Sequence, residues 1–151
     1  MSGEKTYDII PAAASRAHID DAIYRAMYQR SIDDPEGFWA EQAEALLDWS
    51  KPWDRVLEWD YHKAHIRWFE GATLNVSHNC LDRHLETRGD QFAIIWEGDN
   101  PGTSKKLTYR ELHAEVCRLA NVLKARGVQK GDRVSIYMPM IPEAAAAMLA
   151  C

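Results

Sequence analysis

The sequence predicts an α/β protein. A helical, Trp-rich and irregular N-terminal layer occupies residues 1–91, and the first βαβ elements of a larger, truncated domain occupy residues 92–151. Three observations carry that reading. Capped apolar stripes at helical spacing fill the segment 19–47. Two β-rich runs, Phe92–Glu97 and Arg133–Met138, flank a helix announced by Thr108-Tyr-Arg-Glu111. The chain then stops at Cys151 inside an almost wholly apolar helical run, Ala144–Ala150, with no polar exit. A helix that is apolar all round belongs in a buried layer, and a strand–helix–strand–helix order is one parallel βαβ unit plus the crossover to a further strand. The expectation is therefore the N-terminal piece of a longer protein, with the rest of the same chain packed on it.

The elements follow in order. Residues 1–18 show no sustained period, and Pro11 with Ala12-Ala13-Ala14 suggests a mobile or surface-bound leader. Asp20 can cap a helix carrying Ile23, Tyr24, Met27 and Tyr28, with Ile19 stapled onto Tyr24. Asp34-Pro35-Glu36 starts a second helix, with proline at the position where its missing N–H costs nothing. Its apolar face is expected to be Trp39, Ala43, Leu46 and Leu47, with Phe38 at the edge. Residues 53–69 alternate loosely and read as extended chain with one short strand. Asn75 caps a helix predicted over 76–88, which Gly89 ends with a positive φ. Phe92–Glu97 and Lys106–Thr108 form a hairpin around the loop Gly98–Gly102. Thr108 and Glu111 make a capping box for a helix ending at Gly127. Arg133–Met138 is a strand, and Pro142-Glu143 begins the final helix.

Composition narrows the function classes. With 151 residues, 46% of them hydrophobic and 27% charged, the chain has the make-up of an ordinary soluble domain. A net charge of −5 argues against a nucleic-acid partner, which would want a basic surface. No apolar run is long enough to cross a bilayer. The leader has no secretory pattern, and Glu4 and Asp8 in an Arg-poor stretch speak against a mitochondrial transit peptide. Cys80, Cys117 and Cys151 are odd in number and fit no metal or disulfide framework, so they read as free, mostly buried thiols in a reducing cytosol. Five of the six tryptophans (Trp39, Trp49, Trp53, Trp59 and Trp68) are clustered, which reads as packing anchors.

Candidate chemistry is thin. His78, Cys80, Asp82 and His84 resemble a ligand set. On a helix, however, 80 and 84 share one face and 78 and 82 another, roughly 160° away, so four ligands do not converge on a tetrahedral ion. Gly98–Lys106 (GDNPGTSKK) leads into a strand, whereas a phosphate loop leads into a helix N-terminus. Gly127–Gly131 is no dinucleotide fingerprint. No GxSxG, HExxH or CxxC occurs. The residues alone assign no catalytic, cofactor-binding or metal-ligating position.

Several segments nevertheless resemble a known family. Leu107–Leu112 (LTYREL) looks like the first core motif of the adenylate-forming superfamily, and Gly127–Met138 (GVQKGDRVSIYM) resembles the segment after it. Asp33–Trp39 (DDPEGFW), Trp68–His84 (WFEGATLNVSHNCLDRH), Ala93–Gly98 (AIIWEG) and Tyr137–Cys151 (YMPMIPEAAAAMLAC) are together similar to the AMP-forming acetyl-CoA synthetases. The likeness covers about residues 20–151. Gly71-Ala72 departs from it, where Gly-Gly or a charged residue before glycine is commoner. The resemblance implies acetate, ATP and CoA as substrates with Mg²⁺, and a cytoplasmic ligase that forms acetyl-adenylate and then acetyl-CoA. It also implies that the phosphate loop, the acidic groups and the catalytic lysine lie downstream of Cys151, so the chain alone is expected to be inactive. A propionyl- or other short-chain acyl-CoA synthetase, or a non-catalytic interaction module on the same scaffold, are the alternatives. Trp68–His84 then reads as a joint between the N-terminal layer and the nucleotide-handling domain.

Overall fold

The computed structural model describes residues 7–151. Residues 1–6 of the leader, Glu4 among them, lie outside the described residues. The chain divides into two units: one runs to Leu47 and includes Lys51–Ala72, and the other joins Asp48–Ser50 to Thr73–Cys151.

The first unit begins with a single helical turn, α1 (Pro11–Ala14), followed by α2 (Asp21–Asp33) and α3 (Pro35–Leu46). Both long helices start where their caps predict. Asp20 Oδ1 accepts the Ile23 N–H at 2.8 Å, and Asp34 Oδ1 accepts the Gly37 N–H at 3.0 Å. Arg30 and Glu41 pair at 2.6 Å and tie the two helices together. The buried positions of α3 are Phe38 and Ala43, while Leu46 is 64% exposed. Phe38 is thus the centre of the buried face, not its edge. Trp39 instead turns to its neighbours, meeting Phe38 edge-on at 5.1 Å and Trp68 edge-on at 6.4 Å.

Residues 53–69 hold more order than expected. β1 (Arg55–Asp60) and β2 (His65–Glu70) form an antiparallel hairpin with Leu57 opposite Trp68 and Trp59 opposite Ile66. The turn lacks an Asn-Gly or Asp-Gly signal. Asp60 makes it by accepting the N–H groups of His62 and Lys63 at 3.0 and 3.2 Å, and Ala64 takes a left-handed φ of 50°. Phe69 also has φ 50°, costly for an aromatic residue; its ring packs on Trp53 at 5.0 Å and on Trp68 at 5.8 Å. Gly71, at φ 80°, lets the Ala72 N–H turn back to the Phe69 carbonyl at 3.1 Å.

The second unit contains α4 (Val76–Cys80), a 3₁₀ turn (Asp82–His84), α5 (Leu85–Arg88), β3 (Phe92–Glu97), β4 (Ser104–Thr108), α6 (Tyr109–Ala125) and α7 (Pro142–Ala150). The single helix expected over 76–88 is therefore two, broken at Leu81 (φ −125°, ψ −66°). Burial explains the break. Leu81 is the most buried side chain among the described residues, 1% exposed, and it packs with Leu107, Leu112, Val116 and Ala146. A continuous helix would trade that burial for helical hydrogen bonds. Gly89 is not the left-handed terminator expected either, since its φ is −51°. Glycine is needed there because a Cβ would strike the Leu85 carbonyl and the Arg110 guanidinium.

β3 and β4 pair antiparallel with an irregularity between Phe92 and Ile94. The capping box of α6 is complete. Thr108 Oγ1 accepts the Glu111 N–H at 3.2 Å, and Glu111 Oε2 accepts the Thr108 N–H at 2.8 Å. The helix ends with Gly127 at φ 84°. Leu112 and Val116 form its buried stripe, and α7 closes over them with Ala146, Leu149 and Ala150.

Residues 133–138 carry no strand ladder. Among the described residues the sheets are two antiparallel pairs, β1–β2 and β3–β4, and no parallel pair is made. A strand exists only against a neighbour, and β3 and β4 are paired with each other. Pro142, Ala146 and Ala147 of α7 are buried, but Met148 is 66% exposed. Cys80, Cys117 and Cys151 are all exposed, against the expectation of mostly buried thiols.

Candidate functional site

Asn75 sets the local frame by accepting the His78 N–H on its side chain at 2.9 Å, which starts α4. That turn directs Asn79 at the strap Asp48–Ser50. The Asp48 N–H donates to Asn79 Oδ1 at 2.8 Å, and Asn79 Nδ2 donates back to the Asp48 carbonyl at 3.0 Å. The same amide nitrogen also reaches the Asn75 carbonyl at 3.0 Å. Arg83 donates to Asn79 Oδ1 at 3.1 Å and lies 3.4 Å from the Asp48 carboxylate, with His78 at 3.7 Å from it. The Ser50 N–H completes the attachment on the Thr73 carbonyl at 2.8 Å. The two asparagines of Trp68–His84, Asn75 and Asn79, therefore hold backbone together.

One cleft opens beside this knot, and another lies farther along α6 and α7. The first, of about 880 Å³, is bounded by α4, α6 and α7 and lined by His78, Asp82, His113, Cys117, Met148 and Cys151 among others. The second, of about 590 Å³, lies between the end of α6, the turn at Gly131 and α7, with Lys124, Lys130 and Asp132 at its wall.

The first cleft gathers the groups most suggestive of chemistry. His113 Nε2 lies 3.4 Å from Asp82 Oδ1, and Cys117 Sγ lies 3.5 Å from the same Nε2 and 3.9 Å from Nδ1. A thiol relay needs one ring nitrogen for the sulfur and the other for the carboxylate. Here the Asp82 contact and the shorter Cys117 contact both fall on Nε2, with Nδ1 the more distant nitrogen from the sulfur. His113 and Cys117 stand four apart on α6, so helical spacing could have paired them in advance. The Asp48–Asn79 contact, 31 residues apart, leaves no such local signal.

The four residues that resembled a ligand set go separate ways. His78 faces Asp48, Asp82 faces His113, His84 packs its ring on Tyr109 at 5.4 Å, and Cys80 is exposed. Among the described residues no group of three or more His, Cys, Asp or Glu side chains is placed to hold a metal ion. The loop before Ser104 is closed on itself, with the Gly98 N–H on the Thr103 carbonyl at 2.8 Å and the Thr103 N–H on the Asn100 carbonyl at 3.1 Å.

Displaced titrations mark structural contacts away from both clefts. The Lys105 ammonium, hydrogen-bonded to Glu143 at 2.8 Å, is held above the usual lysine range, and Glu143 is held below the usual carboxylate range by the same bond. Glu111 is lowered by the Thr108 N–H and hydroxyl, and Asp60 by Lys63 and the turn amides. No helix among the described residues is long and apolar enough to cross a membrane.

Comparison with known proteins shows what the chain is similar to. Residues 24–80 match the model of the acetyl-coenzyme A synthetase N-terminus, and residues 81–151 match that of the AMP-binding enzymes. The chain is 66% identical over all 151 residues to an acetyl-coenzyme A synthetase of Magnetococcus marinus and 62% identical to one of Alkalilimnicola ehrlichii. The chain is thus similar over its whole length to the acetyl-coenzyme A synthetases. It spans 23% of the length of each of those two relatives. Among solved structures it is similar to the acetoacetyl-CoA synthetase from Streptomyces lividans, with TM-score 0.76 and 37% identity over 92% of this chain and 22% of that one. The described residues thus fold as a mixed helix and small antiparallel-sheet structure like the matching portion of that synthetase.

Proposed function

We propose that the chain is the N-terminal part of a cytoplasmic, AMP-forming acetate–CoA ligase. The parent activates acetate with ATP to acetyl-adenylate and pyrophosphate, then transfers the acetyl group to CoA with release of AMP. The observation that carries this reading is the 66% identity across the whole chain with an acetyl-coenzyme A synthetase. Adenylation replaces oxide, a poor leaving group, by AMP, a good one, and the groups that favour it are phosphate-binding donors and cations.

The residues described here do not fit those groups. The hairpin loop Gly98–Thr103 spends two of its N–H groups on its own carbonyls, and among the described residues no group of three or more His, Cys, Asp or Glu side chains is placed for a metal ion. We therefore assign the ATP, CoA and Mg²⁺ sites to other parts of the parent and derive no step through them. Residues 1–91 act as its N-terminal region and 92–151 as the beginning of its AMP-binding domain. The remainder of the parent packs against this portion, supplying a neighbour for 133–138 and cover for the cleft walls of α6 and α7.

The test is acetate-dependent exchange of labelled pyrophosphate into ATP by the full-length parent. Exchange with acetate well above that with propionate is expected, and the 151-residue chain alone should give none. A parent that exchanges better with propionate would replace the acetyl assignment. A parent inert with every short carboxylate would overturn the ligase reading.

A further inference from the structure

We draw no further inference here: the strongest candidate, the cleft between α4, α6 and α7 that brings together His113, Cys117 and Asp82, is an opening walled by polar and apolar groups alike with nothing in the structure to show what covers it, and its thiol and carboxylate meet the same imidazole nitrogen.

Discussion

Asn79 has a wider reach than its size suggests. One amide side chain satisfies the Asp48 N–H and the Asp48 carbonyl, 31 residues away, and accepts from Arg83 as well. Replacing it by alanine removes these hydrogen bonds at an exposed strap, a loss of about 0.5–1.5 kcal/mol. Asn79→Ala should lower the urea midpoint of the chain accordingly, with Asn79→Asp keeping the acceptor and losing part of the deficit. A midpoint unchanged in Asn79→Ala would show that water replaces the knot at no cost. Gly89 makes a second residue-scale case. Its backbone angles suit any amino acid, yet a methyl group would meet the Leu85 carbonyl. Gly89→Ala should therefore destabilise, whereas a free helical glycine gains about 0.4–1 kcal/mol from the same change. Thermal melts of the two forms decide the sign.

At the scale of elements, what was legible in the sequence was local. Asp20, Asp34 and Thr108 announce α2, α3 and α6 because a cap and its amide lie three residues apart. What was not legible depended on distant neighbours. The break at Leu81 comes from a pocket made by Leu107, Leu112, Val116 and Ala146. The β1–β2 turn uses Asp60 and a left-handed Ala64, neither of them a strong hairpin signal. Residues 133–138 have the composition of a strand and no neighbour to pair with, and the mutual facing of Asp82 with His113 required the 3₁₀ turn and α6 to be placed first.

The capping box of α6 makes an element-scale prediction about acid. Glu111 titrates below its ordinary range in the fold, so its contribution is present above the unfolded value, about 4.3, and is lost as pH falls through the lower folded value. Glu111→Gln should flatten the acid limb of a stability–pH curve below about pH 4.5. An acid limb of unchanged slope would show that the capping carboxylate is not what titrates. The Lys105–Glu143 pair adds a limb at each end. Glu143 is lowered, so its share is lost on acidification, and Lys105 is raised, so its share is lost as pH climbs through its folded value, beyond about 10.4. Lys105→Met should remove the alkaline loss and leave the limb of Glu111 in place.

For the molecule as a whole, the balance of covered and uncovered apolar surface is the telling feature. The buried hydrophobic set is Phe38, Ala43, Leu81, Leu107, Leu112, Val116, Ala146 and Ala147, while Val134, Ile136, Met140 and Met148 all stand exposed. The chain by itself should bind the dye ANS strongly and scatter light as concentration rises, and the full-length parent should do neither. A clean, cooperative and dye-silent 151-residue monomer would favour the self-sufficient interaction module over the ligase portion.

One rung of the β3–β4 hairpin bears on order in time. Trp96 and Lys105 face each other across the strands. The indole N–H donates to the Met140 carbonyl at 2.6 Å, and the ammonium holds Glu143 in the first turn of α7. The Trp96 contact closes a span of 44 residues that contains all of α6. Closing a long flexible span is entropically dearer than closing one already shortened by a helix. The hairpin and α6 should thus assemble before α7 docks, which makes α7 the last segment to arrive and the first to leave. Amide exchange in α7 should outpace that in α6, and Trp96→Phe should widen the gap by speeding α7 alone.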